Sequence, residues 1–353
     1  MKMTDRIDGS RASAGRAVLV VVVAALVIAA CTGRDATVGT LSTEPASSEE
    51  HSETETADAR ELSMVDTLAL VPADNGCFNI ALGDLNTFRA AFDLPVPTAD
   101  TSEFELTEQI GTIAPLLAFG PPLTLADFGG DRSILVPLAR SSAYIVNFDR
   151  TTEVFAGDFA SDTFGPLPPD DVLDGVDSLP VPDMIEEGFG SDRLVADNGV
   201  VTVASTPDDL ATTLAAQHGE VHTLADVPDA VDLVSALHDL DVMHGGAENA
   251  TSALIHGNAW GVAADPDNPG SWILHLLFRP RDNGGLDALT PTIAERAGNA
   301  AEQHDADVID VTPRDGYVLA TVRFAEPNGW FEIEGDLSPI RWDEIATDLD
   351  AAC

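Results

Sequence analysis

Two segments of the chain share a turn triplet, an alternating apolar run and then a helical pattern, at residues 73–91 and 196–216. Asn and Gly in each Asp-Asn-Gly triplet suit positive φ, so each triplet predicts a β-hairpin turn. Apolar residues then alternate with a period of two, which is typical of a half-buried strand. We therefore expect matching positions to face the same core, namely Phe78, Ile80 and Leu82 in the first copy and Val201 and Val203 in the second.

A helical pattern follows each alternating run. In the first copy Leu85, Phe88 and Phe92 fall on one helical face. In the second copy Thr206 can cap the helix and Pro207 can take its first position. Both segments are predicted to be helices.

The same order of elements recurs in the second half of the chain. Residues 259–265 and 271–280 are apolar runs that flank a turn-rich stretch, and a helix is expected from about Leu286 to His304. A last hairpin is predicted over residues 308–324. The repeated unit of strand, turn, strand and helix predicts an α+β fold, with antiparallel sheets and helices packed on one face.

The Pro- and Asp-rich residues 165–187 form the best internal boundary. They divide the folded part into a first α+β lobe, 62–164, and a second α+β lobe, 188–353. The alternative is a long surface loop within one domain. About 290 residues are enough for either arrangement.

The N-terminus has the pattern of a lipoprotein signal peptide over residues 1–30. Basic residues, beginning with Lys2, precede an apolar run from Ala17 to Ala30, which is short for a helix that must span about 20 residues of membrane. The run ends in a sequence similar to the bacterial lipobox, which predicts cleavage before Cys31 and lipidation of that cysteine. A plain signal peptide and a short transmembrane anchor are the alternatives.

Residues 31–60 are rich in Ser, Thr, Glu and Ala and contain few large apolar side chains. Such a segment cannot bury enough surface to offset the entropy lost on ordering. We therefore predict a disordered acidic tether between the anchor and the folded part.

Charge excludes several classes of function. Without residues 1–30 the chain has 13 arginines, 58 aspartates and glutamates and no lysine, a formal charge of −45. The missing lysine excludes Schiff-base catalysis, lysine-dependent phosphate loops and Ser-x-x-Lys acyl enzymes. Nucleic acid is not expected as a partner because a basic footprint is missing. The acidic excess suits cations, cationic partners or simply a highly hydrated surface.

Cys77 and Cys353 remain once Cys31 is assigned to the lipid. Outside the cytoplasm two cysteines can pair, so a disulfide between them is predicted, with two separate thiols as the alternative. A crosslink that closes so long a loop would contribute on the order of 4 to 5 kcal/mol in the chain-entropy model.

Candidate metal ligands are weak. His218 and His222 lie four residues apart, a spacing that puts both on one helical face, but Gly219 indicates that the helix is already ending. Exposed histidines are the alternative. His238 and His244 have no clear third ligand. Residues 265–270 begin like a calcium loop but lack the glutamate needed at its twelfth position, which favours a hairpin turn.

Nucleophile motifs are also missing: the chain has no Gly-x-Ser-x-Gly elbow, and Cys77 has no adjacent histidine to activate it. We therefore predict no catalytic residue and no cofactor.

The stretch "TLALVPADNGCFNIALGDLNTFRAAF", at residues 67–92, resembles the start of the folded part in uncharacterised actinobacterial envelope lipoproteins. The later "GVVTVASTPDDLATTLAA" is similar to their second half. This resemblance implies an architecture and a location at the outer face of the cell membrane, without a known activity.

Together these patterns favour a lipid-anchored, non-enzymatic protein of the cell envelope that binds a small ligand or a partner protein, or organises the surface. An envelope hydrolase or metal-dependent enzyme that uses acidic residues is one alternative. A solute-binding lipoprotein of a transporter is another.

Overall fold

A large antiparallel sheet is the main feature of the computed structural model. The structure describes residues 62–73, 76–98, 101–102, 140–160, 163, 172–173, 176–177, 179–180, 193–197, 199–204, 206–249, 254–281, 285–325 and 329–337. The signal peptide, Cys31, the tether and Cys353 lie outside these residues.

Strands and helices alternate irregularly along the described chain. The strands β1 to β13 are Asn79–Asp84, Ala143–Asn147, Thr152–Ala156, Val172–Leu173, Val176–Asp177, Leu179–Pro180, Arg193–Asp197, Val200–Ala204, His244–Asn249, Ile255–Ala264, Trp272–Pro280, Asp307–Arg314 and Tyr317–Phe324. The helices α1 to α5 are Leu85–Ala91, Pro207–Gln217, Pro228–His238, Leu286–Gln303 and Gly329–Leu337. Short 3-10 helices cover Asp66–Leu70 and Leu224–Asp226.

Eleven strands form the sheet in the order β12, β13, β11, β10, β9, β1, β2, β3, β8, β7, β6, while β4 and β5 pair separately. Every strand pair in it is antiparallel. The α+β class with an antiparallel sheet is thus confirmed, but a repeated strand-turn-strand-helix unit is not.

Three of the predicted hairpins are present. Strands β7 and β8 join through Gly199, whose φ of +82° suits the turn triplet. Strands β10 and β11 flank the turn-rich residues 266–270, and β12 and β13 flank Asp315 and Gly316. Helix α4 also begins and ends as expected, and it buries Leu289, Ile293 and Ala297.

The first predicted hairpin is wrong. The apolar residues before the first triplet form the 3-10 helix Asp66–Leu70 rather than a strand, and β1 pairs with β2 and β9 instead. Ser63 accounts for part of this difference, because its side chain and backbone N–H both donate to the Asp66 carboxylate. These hydrogen bonds close a local turn at the start of the 3-10 helix, where the apolar run alone indicates a strand.

Helices cover both faces of the sheet, so the expectation of helices on one face is wrong. One face, called face A, includes Tyr144 and packs against α1, α4 and α5, the last through Trp330. The other, face B, packs against α3 and both 3-10 helices and includes Ile145. Gln217 of α2 donates to Thr202 on this same face. Two-sided cover is needed because β2 and β8 are buried at every position.

The two copies of the turn triplet also differ in the face they present. Ile80 and Leu82 lie on face B, whereas Val201 and Val203 lie on face A. Matching positions therefore face opposite cores, against expectation. A pattern with a period of two fixes which residues share a face but not which face that is.

Strands from both sides of residues 165–187 belong to the same sheet, since β1 pairs with β9 and β3 pairs with β8. The described residues also fall within one unit, Asp58–Cys353. Within residues 165–187 itself, β6 is the last strand at one end of this sheet, and the division into two lobes stays a prediction.

Strand β12, at one end of the sheet, is mostly exposed. Its pairing with β13 shifts register between Val308 and Asp310, and Ile309 is 45% exposed. Asp307, Asp310 and Pro313 interrupt its apolar positions.

No helix in the described part of the chain has the length and apolar character needed to cross a membrane.

Candidate functional site

The two histidines with metal-ligand spacing do not share a helical face. Helix α2 ends at Gln217, and Gly219 has a φ of +73°, so the chain has left the helix before His222. The His222 side chain is 91% exposed, and its Nδ1 lies 3.4 Å from the Asp226 carboxylate. Among the described residues, no three His, Cys, Asp or Glu side chains are grouped to hold a metal ion.

His222, but not His218, borders an open cleft of about 530 Å³ at the C-terminal end of α2. Backbone hydrogen bonds hold its wall in place, because Ala73 N–H donates to the His222 carbonyl and Leu224 N–H donates to the Val71 carbonyl. The residues that line the cleft are Ala69, Ala216, Gln217, Gly219, Glu220, Val221, His222, Thr223 and Asp226.

The cleft is acidic. Glu220 and Asp226 contribute carboxylates, and the cleft lies beside the C-terminus of α2, where the helix dipole is negative. Thr223 N–H donates to Asp226 at 2.9 Å, and this backbone hydrogen bond is the main cause of the lowered pKa of Asp226. The arrangement favours a positively charged group over an anion.

A second group of functional residue types lies at the centre of face A. His244 is 1% exposed, and its Nδ1 forms a short hydrogen bond with the Tyr144 hydroxyl. Its ring meets Trp260 and Trp330 edge-on, at centroid distances of 5.0 and 5.8 Å. The two indoles stack at 4.6 Å, so His244 lies inside an aromatic cluster.

Burial controls the ionisation of this cluster. Desolvation lowers the pKa of His244 to about 3, and it raises the pKa of Tyr144 well above its usual value. Both groups are therefore neutral at pH 7. They have the residue types of an acid–base pair, but their burial points to packing rather than catalysis.

Glycines on neighbouring strands make room for these rings. A Cβ at Gly83 would lie 2.5 Å from the Tyr144 ring, and one at Gly246 would lie 2.7 Å from the Trp260 indole nitrogen. The sequence offers His238 and His244 as a weak pair of candidate metal ligands. The structure separates the two: His238 ends α3 and is exposed, whereas His244 is buried in the sheet.

The remaining sequence candidates have structural roles. Residues 265–270 form the turn between β10 and β11, and Arg323 binds the nearly buried carboxylate of Asp265. Cys77 is disulfide-bonded. Since Cys31 and Cys353 both lie outside the described residues, the pairing of Cys77 with Cys353 stays a prediction.

No protein-family model matches the chain, and neither a curated protein nor a solved structure shows significant similarity to it. The resemblance to actinobacterial envelope lipoproteins therefore stays a prediction from the quoted segments.

Proposed function

We propose that the protein is a lipid-anchored, non-enzymatic protein of the cell envelope that binds a cationic ligand in the acidic cleft at the end of α2. The cleft itself is the observation that carries this proposal, because it combines an open volume of about 530 Å³ with two carboxylates. The proposed location rests on the signal pattern, Cys31 and the tether.

The size and charge of the cleft define the ligand class. A volume of this order suits a small molecule or one or two side chains of a peptide. Glu220 and Asp226 suit an ammonium or guanidinium group, and the ordered Thr223–Asp226 contact holds one carboxylate in a fixed orientation before the ligand arrives.

Reversing the charge of Glu220 is expected to weaken binding of a cationic peptide probe about tenfold, because the change replaces attraction by repulsion at a short distance. The probe is a fluorescent tripeptide, Ala-Arg-Ala, titrated by anisotropy at 0.15 M salt. Asp307→Arg is the matched control, since it makes the same charge change on β12, away from the cleft residues. Equal losses for Glu220→Arg and Asp307→Arg would mean that only overall charge matters, and the cleft proposal would fail.

Native mass spectrometry of protein purified from its own host would identify a retained ligand or partner. A retained cation or cationic peptide is the expected result. Turnover of a glycan, peptide or ester library by the purified protein would instead favour the alternative of an envelope hydrolase.

Changing Cys31 to Ser is expected to move the protein from the membrane fraction to the soluble fraction, because lipidation needs the cysteine sulfur. An amine-reactive reagent gives an independent measurement. Lys2 is the only lysine, so cleavage before Cys31 leaves no ε-amine and at most one α-amine to label. If the Cys31→Ser protein remains in the membrane fraction and still carries Lys2, the predicted lipobox is wrong.

A further inference from the structure

Three oxygen-bearing side chains form a row across β1, β9 and β10. Glu248 pairs with Asn79 on one side and with Asn258 on the other. Directly opposed residues of antiparallel strands point to the same face, with Cβ atoms about 5 Å apart. The row lies on face A, since Asn258 is two residues from Trp260 and Asn79 is two residues from Ala81.

The row leads from solvent into the interior. Asn79 is exposed, Glu248 is half-buried and Asn258 is only 4% exposed. The Asn258 side chain hydrogen-bonds to Glu248, yet its Oδ1 has no hydrogen-bond partner among the described residues. A buried acceptor without a donor is costly, so this oxygen favours a bound group.

Glu248 provides the one carboxylate of the row and lies between the two amides. A cation placed beside Glu248 and Asn258 would neutralise this half-buried carboxylate and give the amide oxygen of Asn258 a partner.

We propose that this row binds a divalent cation of the calcium type through oxygen atoms of Glu248 and Asn258, with Asn79 on its solvent side. Carboxylate and amide oxygens are the ligands that calcium prefers, and water can complete its shell on the side of Asn79. A compact ion suits the buried Asn258 better than an organic cation, which would need a larger cavity. Two of the three side chains in the row are amides. The row therefore differs from a metal site built only of His, Cys, Asp and Glu, of which the described residues contain none.

This inference is independent of the cleft at the end of α2. Calcium alone is the probe, measured by isothermal titration and thermal unfolding of the purified full chain. A site with one carboxylate should bind with a Kd of about 0.1 to 1 mM, the range of weak extracellular sites. Saturating calcium should then raise Tm by roughly 5 °C. Terbium luminescence excited through tryptophan gives a local signal, because Trp260 neighbours Asn258 on the same face.

Glu248→Gln separates this site from general attraction of calcium to an acidic surface. The variant keeps the shape of the side chain and removes the charged ligand, so it should abolish the calcium-dependent increase of Tm. Glu220→Gln is the matched control and should retain that increase. Asn79→Ala, at an exposed position, should weaken calcium binding by about two- to fivefold without loss of the fold.

Two results would overturn the proposal. One is an equal calcium-dependent increase of Tm in the wild type and in Glu248→Gln, which would mean that calcium binds elsewhere on the surface. The other is no increase of Tm in the wild type at 10 mM calcium. If Glu248→Gln fails to fold, unchanged calcium affinity of Asn79→Ala decides against the site.

Discussion

Acidification from pH 7 to pH 4 is expected to lower the free energy of unfolding by about 3 kcal/mol through His244 alone. Burial lowers the pKa of His244 from 6.5 to about 3 in the folded protein. The unfolded chain therefore takes up a proton on this histidine below pH 6.5, while the folded protein does not. The stabilisation is fully present above pH 6.5 and is lost progressively as the pH falls towards 3.

His275 contributes in the same direction. Burial, with the nearby charge of Arg314, lowers its pKa to about 4, so its contribution is lost between pH 6.5 and pH 4. Urea unfolding at pH 7, 6, 5 and 4 measures the sum. His244→Gln should reduce the loss between pH 7 and pH 4 by about 3 kcal/mol, whatever its effect on stability at pH 7.

His218→Gln is the control for that experiment, because His218 is exposed. It removes an imidazole from the surface and should leave the free energy of unfolding at pH 7 within about 0.5 kcal/mol of the wild type. If His244→Gln shows the wild-type pH dependence, His244 is not buried as the structure places it.

Trp330→Ala should cost about 3 to 5 kcal/mol of stability, the usual range for removing a large buried aromatic side chain. Trp330 is 1% exposed, stacks on Trp260 and meets the edge of His244. The indole also anchors α5 on face A, so its loss should weaken the attachment of that helix. Urea unfolding at pH 7 measures the loss, and hydrogen exchange over residues 329–337 reports the release of the helix.

Phe331→Ala offers a matched comparison. Phe331 is the next residue on α5, but its side chain is 40% exposed, so the expected cost is below about 1 kcal/mol. Similar losses for Trp330→Ala and Phe331→Ala would contradict the position assigned to α5.

The elements predicted best from the sequence are those with strong local signals. The hairpins at Gly199 and Gly316 have turn residues at positive φ, and α4 has a long apolar stripe. The helix at residues 207–217 begins at the cap expected from Thr206. In each of these cases the deciding contacts lie within a few residues along the chain.

The elements missed depend on distant partners. Alternation after residue 77 indicates a strand, yet its neighbours β2 and β9 come from far along the chain, and no local pattern identifies them. The same holds for the choice of face. Ile80 and Val203 occupy matching positions but opposite faces, because the whole topology decides which face each strand turns to which helices.

For the candidate sites too, local signals are visible in the sequence, whereas contacts between distant residues are not. The spacing of His218 and His222 indicates a shared helical face. Because α2 ends before His222, the structure instead places His222 on the border of a cleft. The row of Asn79, Glu248 and Asn258 carries no motif, since it is assembled from three strands. Its members are single polar residues, and no recognised spacing links positions 79, 248 and 258.

The exposed edge strand β12 has a consequence for crowding on a membrane. Under the proposed lipid anchoring, copies on one surface would meet edge to edge far more often than free copies in solution. Asp307 and Asp310 would repel the same residues of an approaching copy, while Pro313 and the shifted register at Ile309 interrupt a continuous ladder of hydrogen bonds. Such a strand allows dense lateral packing of the protein without its sheets growing into one another.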